Sequence, residues 1–170
     1  MVAIAMVATM VSIVAHSSVA DASVDGDSVV LVDGGGRFDV WVDPVPGSGV
    51  GRVVFGDVGD VPLMGDWDCD GVRTPAMYRR SNGFMYLRNS NTQGNADLKF
   101  YFGNPGDIPL AGDFNGDYCD TISIYRPSEA RFYIINELGQ DGGGLGAAEF
   151  SFLFGDAGDK PVVGDWDGDG

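Results

Sequence analysis

The chain has 170 residues, with 25 acidic against 10 basic side chains and a formal net charge of −15. Because this charge repels phosphate backbones and anionic lipids, the composition argues against nucleic-acid binding. Apolar residues make up 44%, which is enough for a buried core and excludes a disordered acidic tail. The only histidine is His16. If it is removed with an export signal, serine–histidine hydrolases and histidine-ligated zinc sites are excluded as well.

The first segment predicts an export signal. Residues Met1–Ala15 are almost entirely apolar but too short to span a bilayer, which takes about 20 residues. The sequence Ala20-Asp21-Ala22 then fits a signal-peptidase site. We therefore predict a signal peptide over residues 1–22 and a secreted, extracellular protein, although the first basic residue is Arg37 and the usual basic n-region is missing. A buried strand or a different start are the alternatives.

Three strand-like runs follow the signal, and the rest of the chain repeats. Residues 29–32, 38–42 and 52–55 have the β-branched and aromatic content of strands. They resemble a repeat unit whose front is missing. Beyond them, three segments align without gaps, at residues 55–68, 102–115 and 154–167.

The spacing of these segments indicates one structural unit per repeat. Gly65 and Gly112 lie 47 residues apart, and Gly112 and Gly164 lie 52 apart. The excess of five residues fits the glycine-rich run 139–146, which we interpret as a loop insertion between strands. The strand-like runs of the two later units are residues 75–79, 84–88, 98–102, 122–126, 132–136 and 149–154.

With a short strand before each Gly-Asp, every unit has four strands, which is typical of a propeller blade. We therefore predict an all-β fold, a partial β-propeller of about three four-stranded antiparallel blades. The predicted repeat region is 23–170. Its blades cover about 27–64, 65–111 and 112–163, and a truncated fourth begins at 164–170.

Each aligned segment leads into an acidic loop that predicts a calcium site. We name them loop one (66–74), loop two (113–121) and loop three (165–170). Side-chain oxygens at alternate positions converge when a chain curls around an ion, and position 7 offers a backbone carbonyl. Hard oxygen donors favour Ca²⁺ over transition metals. The side-chain ligands at positions 1, 3 and 5 are Asp66, Asp68, Asp70, Asp113, Asn115, Asp117, Asp165, Asp167 and Asp169.

An EF-hand and a simple hairpin turn are the two other interpretations of the acidic loops. An EF-hand needs glutamate at its twelfth position, where Met77 and Ile124 stand here, and helices on both sides. A simple Asp-Gly hairpin turn is an alternative interpretation of any single loop. Three such loops at equivalent positions of the repeat favour calcium sites instead. Loop two departs from the pattern because Tyr118 stands where a glycine would allow the sharp turn.

The Phe-Gly…Gly-Asp-x-Pro frame followed by Asp-x-Asp-x-Asp-Gly resembles the FG-GAP/VCBS repeat, the blade unit of integrin-α-like propellers. The resemblance covers about residues 29–170. It implies a propeller that holds calcium through side chains at positions 1, 3, 5 and 9 and a carbonyl at position 7. Carried onto this chain, the further ligands are the Val72 and Cys119 carbonyls, Thr74 and Thr121. Threonine replaces the common aspartate at position 9, which lowers the ligand charge.

Other recurring residues favour structural roles. Cys69 and Cys119 lie at different positions of their loops, so the sequence leaves a disulfide between them open. The aromatic residue at position 2 of each loop is more typical of core packing than of ligand binding. The arginines of Tyr78-Arg79 and Tyr125-Arg126 are expected to pair with nearby carboxylates.

These observations predict a secreted calcium-binding propeller module with a binding or adhesion role towards a protein or carbohydrate ligand, and no enzyme activity. Further blades would come from a longer chain or from an oligomer. The alternative is a non-catalytic accessory region of a larger secreted hydrolase, whose catalytic signature would lie outside this sequence. The sequence argues against a glycosidase pair among Glu129, Glu137 and Glu149, because nothing places two of them across a cleft.

Overall fold

A computed structural model describes residues 29–32, 37–41, 50–144 and 146–164. The predicted signal peptide and the loop-three residues Asp165, Asp167 and Asp169 lie outside the described residues. Within the described ranges strands are the only regular secondary structure, and no segment there is an apolar helix of bilayer-spanning length. The strands are β1 Val29–Val32, β2 Arg37–Trp41, β3 Val50–Val54, β4 Val61–Gly65, β5 Thr74–Arg79, β6 Phe84–Leu87, β7 Leu98–Tyr101, β8 Ile108–Gly112, β9 Thr121–Arg126, β10 Arg131–Ile134 and β11 Phe150–Leu153.

These strands form three antiparallel meanders. The first sheet contains β1-β2-β3, the second β4-β5-β6-β7 and the third β8-β9-β10-β11. The prediction of an all-β fold with four-stranded antiparallel sheets is confirmed for the second and third sheets. The glycine-rich run lies between β10 and β11, as the prediction of a loop insertion requires.

The sheets begin one strand earlier than the predicted repeats. The strands before the acidic loops, β4 and β8, pair with the strands that follow the loops, β5 and β9. The physical reason is that each loop reverses the chain tightly, so the strands on its two sides become antiparallel neighbours. The second sheet therefore starts at Val61 and the third at Ile108, whereas the predicted units start at 65 and 112. The first sheet consequently holds three strands in the described part of the chain, not four.

The core lies where consecutive sheets stack. Between the second and third sheets, Tyr78, Met85 and Phe100 of one sheet pack with Ile122 and Ile124 of the other, and all five side chains are almost fully buried. A second cluster joins the end of the first sheet to the opposite face of the second sheet, through Val53, Phe55, Met64 and Met77. The second sheet is apolar on both faces because the first sheet covers one face and the third sheet covers the other, which explains the near-continuous apolar run of β5.

The same turn geometry precedes the second and third sheets. Arg79 of β5 donates to both carboxylate oxygens of Asp60 at 3.0 and 2.8 Å and pairs with Asp57. Arg126 of β9 holds Asp107 in the same way, with two hydrogen bonds of 2.9 Å. Hydrogen bonding to these carboxylates raises the pKa of each arginine. The prediction that the two arginines pair with carboxylates is therefore confirmed.

The tyrosines that precede these arginines link one sheet to the next turn. The Tyr78 hydroxyl donates to the Asn104 carbonyl at 2.7 Å, and burial raises the pKa of Tyr78 to about 12. The Tyr125 hydroxyl donates to the Asp156 carbonyl at 3.4 Å. The second and third sheets thus each carry a polar contact to the turn that follows their last strand.

Candidate metal centre

Loop one brings three carboxylates together at the end of the second sheet. It connects β4 to β5, and carboxylate oxygens of Asp66, Asp68 and Asp70 lie within 4.8 Å of one another. Asp66 is buried, whereas Asp68 and Asp70 are exposed. The strands on both sides of the loop exclude an EF-hand, which has helices there. Three of the sequence-predicted ligands are therefore close enough to share one cation.

Backbone hydrogen bonds to the carboxylates shape this loop. Asp66 accepts the backbone N–H groups of Asp70 at 3.0 Å and Gly71 at 2.9 Å. Asp70 accepts the N–H group of Val72 at 2.8 Å. Each bonded carboxylate oxygen has further lone pairs, so these bonds orient the acids without using up their capacity as ligands.

Loop two repeats the same pattern between β8 and β9. Asp113 accepts the N–H group of Asp117 at 3.2 Å and that of Tyr118 at 2.7 Å, in the positions that Asp70 and Gly71 occupy in loop one. Asp117 accepts the N–H group of Cys119 at 2.9 Å. The Asn115 side chain donates to Asp117 at 2.9 Å. The two loops therefore share one hydrogen-bond scaffold although their sequences differ.

Both loops place positions 4 and 6 in the left-handed region. In loop one these are Cys69 at φ 61° and Gly71 at φ 84°, and in loop two they are Gly116 at φ 75° and Tyr118 at φ 68°. Each loop thus has one glycine and one strained residue, in opposite order. Tyr118, which stands where a glycine would allow the sharp turn, adopts the glycine-like conformation at the cost of strain.

The two loops are joined covalently and by a buried acid. Cys69 and Cys119 form a disulfide, with their Cα atoms 4.9 Å apart. The carboxylate of Asp120 accepts the Asp66 N–H group at 2.9 Å, and the Asp120 N–H group donates to the Asp66 carbonyl at 2.9 Å. Asp120 is 4% exposed and lies 3.5 Å from the Arg73 guanidinium. It therefore fixes the backbone of the first ligand in loop one from a neighbouring sheet.

Sequence reasoning missed Asp120. It occupies position 8 of loop two, where Arg73 stands in loop one, so no periodic position marks it. The only signal in the sequence is that position 8 is basic in loop one and acidic in loop two. This predicts an ion pair only once the disulfide shows that the two loops are neighbours.

The aromatic residue at position 2 covers the glycine before the loop. Trp67 is 5% exposed and belongs to the core, which confirms its predicted packing role. Its Nε1 donates to the Thr74 carbonyl at 3.0 Å. A Cβ atom at Gly65 would lie 2.4 Å from the Trp67 ring, and one at Gly112 would lie 3.6 Å from the Phe114 ring. The glycine of Gly-Asp is therefore required by space at loop one.

The electrostatics of the two loops differ. Desolvation and the charges of Asp70 and Asp66 raise the pKa of Asp68. Burial also acts to raise the pKa of Asp113, but hydrogen bonds from four backbone N–H groups outweigh it and lower that pKa. The neighbouring acids of loop one thus disfavour the charge of Asp68, whereas backbone N–H groups of loop two stabilise the charge of Asp113.

The predicted ligands at position 9 of the two loops are the hydroxyls of Thr74 and Thr121. The Thr74 hydroxyl donates to the Gly65 carbonyl at 3.4 Å, and the Thr121 hydroxyl donates to the Ile135 carbonyl at 2.7 Å. Both hydroxyls are therefore engaged with the backbone, and their role as ligands stays a prediction. The same holds for the carbonyls of Val72 and Cys119. The three acids of loop three lie outside the described residues.

The donor set of loop one fits a hard divalent cation. It offers carboxylate oxygens alone, without imidazole or thiolate, because Cys69 is held in the disulfide. In comparisons with protein-family models, curated proteins and solved structures, none matches this chain. The resemblance to the FG-GAP/VCBS repeat therefore stays a prediction based on the sequence motif.

Proposed function

We propose that this chain is a secreted, calcium-stabilised β-propeller repeat module with a binding role towards a protein or carbohydrate ligand. The observation that carries the proposal is the convergence of the Asp66, Asp68 and Asp70 carboxylates within 4.8 Å. Three carboxylates at this separation repel one another. A divalent cation between them attracts each carboxylate and offsets that repulsion.

Calcium acts on the fold in this proposal, not on a reaction. A cation in loop one would be held by Asp66, whose backbone is fixed by Asp120, and by the exposed acids Asp68 and Asp70. Because the unfolded chain has no preformed site, binding would stabilise the native state. The disulfide would transmit that order to loop two.

The disulfide also supports an extracellular location. Disulfides form and persist in oxidising compartments and are rare in the cytosol. Calcium is plentiful in the extracellular medium, so an extracellular location would suit both the disulfide and the proposed calcium site. The stacked sheets and their recurrent turns support a propeller arrangement, in which each blade is covered by its neighbours.

Calcium titration by isothermal calorimetry tests the site. We expect binding to the wild-type chain and at least a tenfold loss of affinity in Asp68→Asn, because one ligand charge is removed. Asp141→Asn is the matched control, since Asp141 is an exposed aspartate in the loop between β10 and β11. Equal calcium affinity in Asp68→Asn, Asp141→Asn and the wild type would contradict the proposal.

The binding role needs a separate measurement. A glycan and protein array probed with the calcium-loaded chain should give a signal that chelation removes. No signal from the calcium-loaded chain, or a signal that excess chelator leaves unchanged, would contradict a calcium-stabilised binding module.

A further inference from the structure

The third sheet presents an apolar face whose outer strand, β11, is exposed in the described part of the chain. Phe150, Phe152 and Phe154 lie along β11 and just after it, with 48%, 43% and 72% of their side chains exposed. Phe132 of β10 stacks on Phe152, with ring centroids 5.0 Å apart. Exposed aromatic layers of this kind are typical of interaction surfaces.

The second sheet shows what covers such a face. The strand registers equate Phe150, Phe152 and Phe154 with Leu98, Phe100 and Phe102. Phe100 is 0% and Phe102 5% exposed, because the third sheet packs on them. The open face therefore has the form of a sheet-to-sheet interface whose partner is another sheet of the same kind.

A strand sequence beside this face has no partner in the described part of the chain. Lys160–Gly164 aligns with β4 and β8, sharing their proline and their final glycine. Unlike them it forms no strand, so the prediction of a strand before the third Gly-Asp is wrong for this structure. The reason is that a strand needs a pairing neighbour, which β5 and β9 provide for β4 and β8.

Among the described residues, the first sheet contains no counterpart of β4 or β8, and this segment could supply that strand. The pairing order β1-β2-β3 matches β5-β6-β7, and Phe55 follows β3 as Phe102 follows β7. The first sheet therefore corresponds to the second, third and fourth strands of a complete sheet. Among the described residues, nothing takes the place of its first strand.

We propose that two copies of this chain associate head to tail, and that residues 160–164 of one copy become the missing first strand of the β1–β3 sheet of the other. The completed sheet would then cover the open face of the third sheet. The registers of β4 with β5 and of β1 with β2 place Val162 opposite Val30 of the second copy. Calcium binding is not needed for this association.

A second copy is the favoured occupant because both halves of the interface are on this chain. The contact repeats the stacking of the second and third sheets. Such a contact uses different surfaces on the two copies, so it closes into a ring or continues into a chain of copies.

Sedimentation velocity over a wide range of protein concentrations tests the association. We expect a concentration-dependent dimer or larger species in the wild type and at least a tenfold weaker association in Phe154→Asp. Val58→Asp is the matched control, because Val58 is 84% exposed and lies in a turn away from the face. A monomer at every concentration, or association unchanged by Phe154→Asp, would overturn the proposal.

Disulfide trapping tests the register independently. An equimolar mixture of Val30→Cys and Val162→Cys chains should form a covalent dimer under mild oxidation, because residues directly opposite in a strand pair bring their Cβ atoms within about 5.5 Å. Val30→Cys mixed with Val58→Cys, and each variant alone, are the controls. No dimer above these controls would show that the two strands do not pair and overturn the proposal.

Discussion

Loop one and loop two share a backbone and differ in charge. In both, the first aspartate accepts the N–H groups of positions 5 and 6, and positions 4 and 6 are left-handed. Loop one carries aspartate at position 3, whereas loop two carries Asn115. The comparison teaches that side chain-to-backbone hydrogen bonds are sufficient to specify this turn, so the number of acids is free to set its affinity for a cation.

The strongest link between the loops is expected to be the disulfide. Replacing both cysteines in Cys69→Ser/Cys119→Ser should lower the free energy of unfolding by about 4 kcal/mol, because the bridge closes a chain segment of 50 residues. Urea denaturation under non-reducing conditions measures this. The wild type treated with a reductant should lose a similar amount. A loss below about 1 kcal/mol in both would show that the loops are held together without the bridge.

The glycine that precedes each loop has less free space around its Cα atom in loop one than in loop two. Gly65→Ala should lower the free energy of unfolding by about 2–3 kcal/mol, because its Cβ would clash with the Trp67 ring at 2.4 Å. Gly112→Ala is the matched control. Its Cβ would meet Val163 at 3.2 Å, so a loss of about 1 kcal/mol or less is expected. Equal losses in urea denaturation would contradict the packing difference.

Substitutions at the left-handed position 6 are expected to change the free energy of unfolding in opposite directions in the two loops. Tyr118→Gly should raise the free energy of unfolding by about 1 kcal/mol, because it relieves strain at φ 68° and the side chain is 86% exposed. Gly71→Ala should lower it by a similar amount, since alanine resists φ 84°. Thermal and urea unfolding without calcium measure both. A loss of stability in Tyr118→Gly would show that the ring makes a contact that outweighs the strain.

The acids give the smallest and most diagnostic difference. Without calcium at neutral pH, Asp113→Asn should lower the free energy of unfolding and Asp68→Asn should raise it, each by less than about 1 kcal/mol, because these sites are well solvated. The pKa of Asp113 is lowered on folding, so its contribution is present above the ordinary value of 3.8 and lost as pH falls through the folded pKa.

Asp68 behaves in the reverse way. Its pKa is raised on folding, so its charge destabilises the native state above that folded pKa, and the penalty disappears as pH falls through it. Urea denaturation of both variants across the acidic range gives the two signs. The same sign for both would contradict the electrostatic difference between the loops.

Much of this architecture could be predicted from the sequence, and the failures have physical causes. Strand positions followed from short apolar runs bounded by glycine and proline, as β5 and β9 show. The sheet boundaries did not, because periodicity does not tell whether β4 pairs forwards or backwards along the chain. The role of Asp120 could not be predicted either, since it depends on contact between two loops in which Asp66 and Asp120 are 54 residues apart in sequence.

The disulfide illustrates the same limit. Cys69 and Cys119 occupy different positions of their loops, which left their pairing open. The structure resolves this because adjacent sheets are offset, so position 4 of one loop faces position 7 of the other. Local pattern thus predicts each unit, and the packing between units decides the contacts at the site.

The most direct test of calcium stabilisation is thermal unfolding of the wild-type chain in saturating calcium and in excess chelator. Calcium at one hundred times its dissociation constant should add about 2.7 kcal/mol to the free energy of unfolding. The same experiment on Asp68→Asn should give a much smaller difference at the same calcium concentration. Identical wild-type melting curves in calcium and in chelator would contradict the claim that the converging aspartates of loop one hold an ion that stabilises the fold.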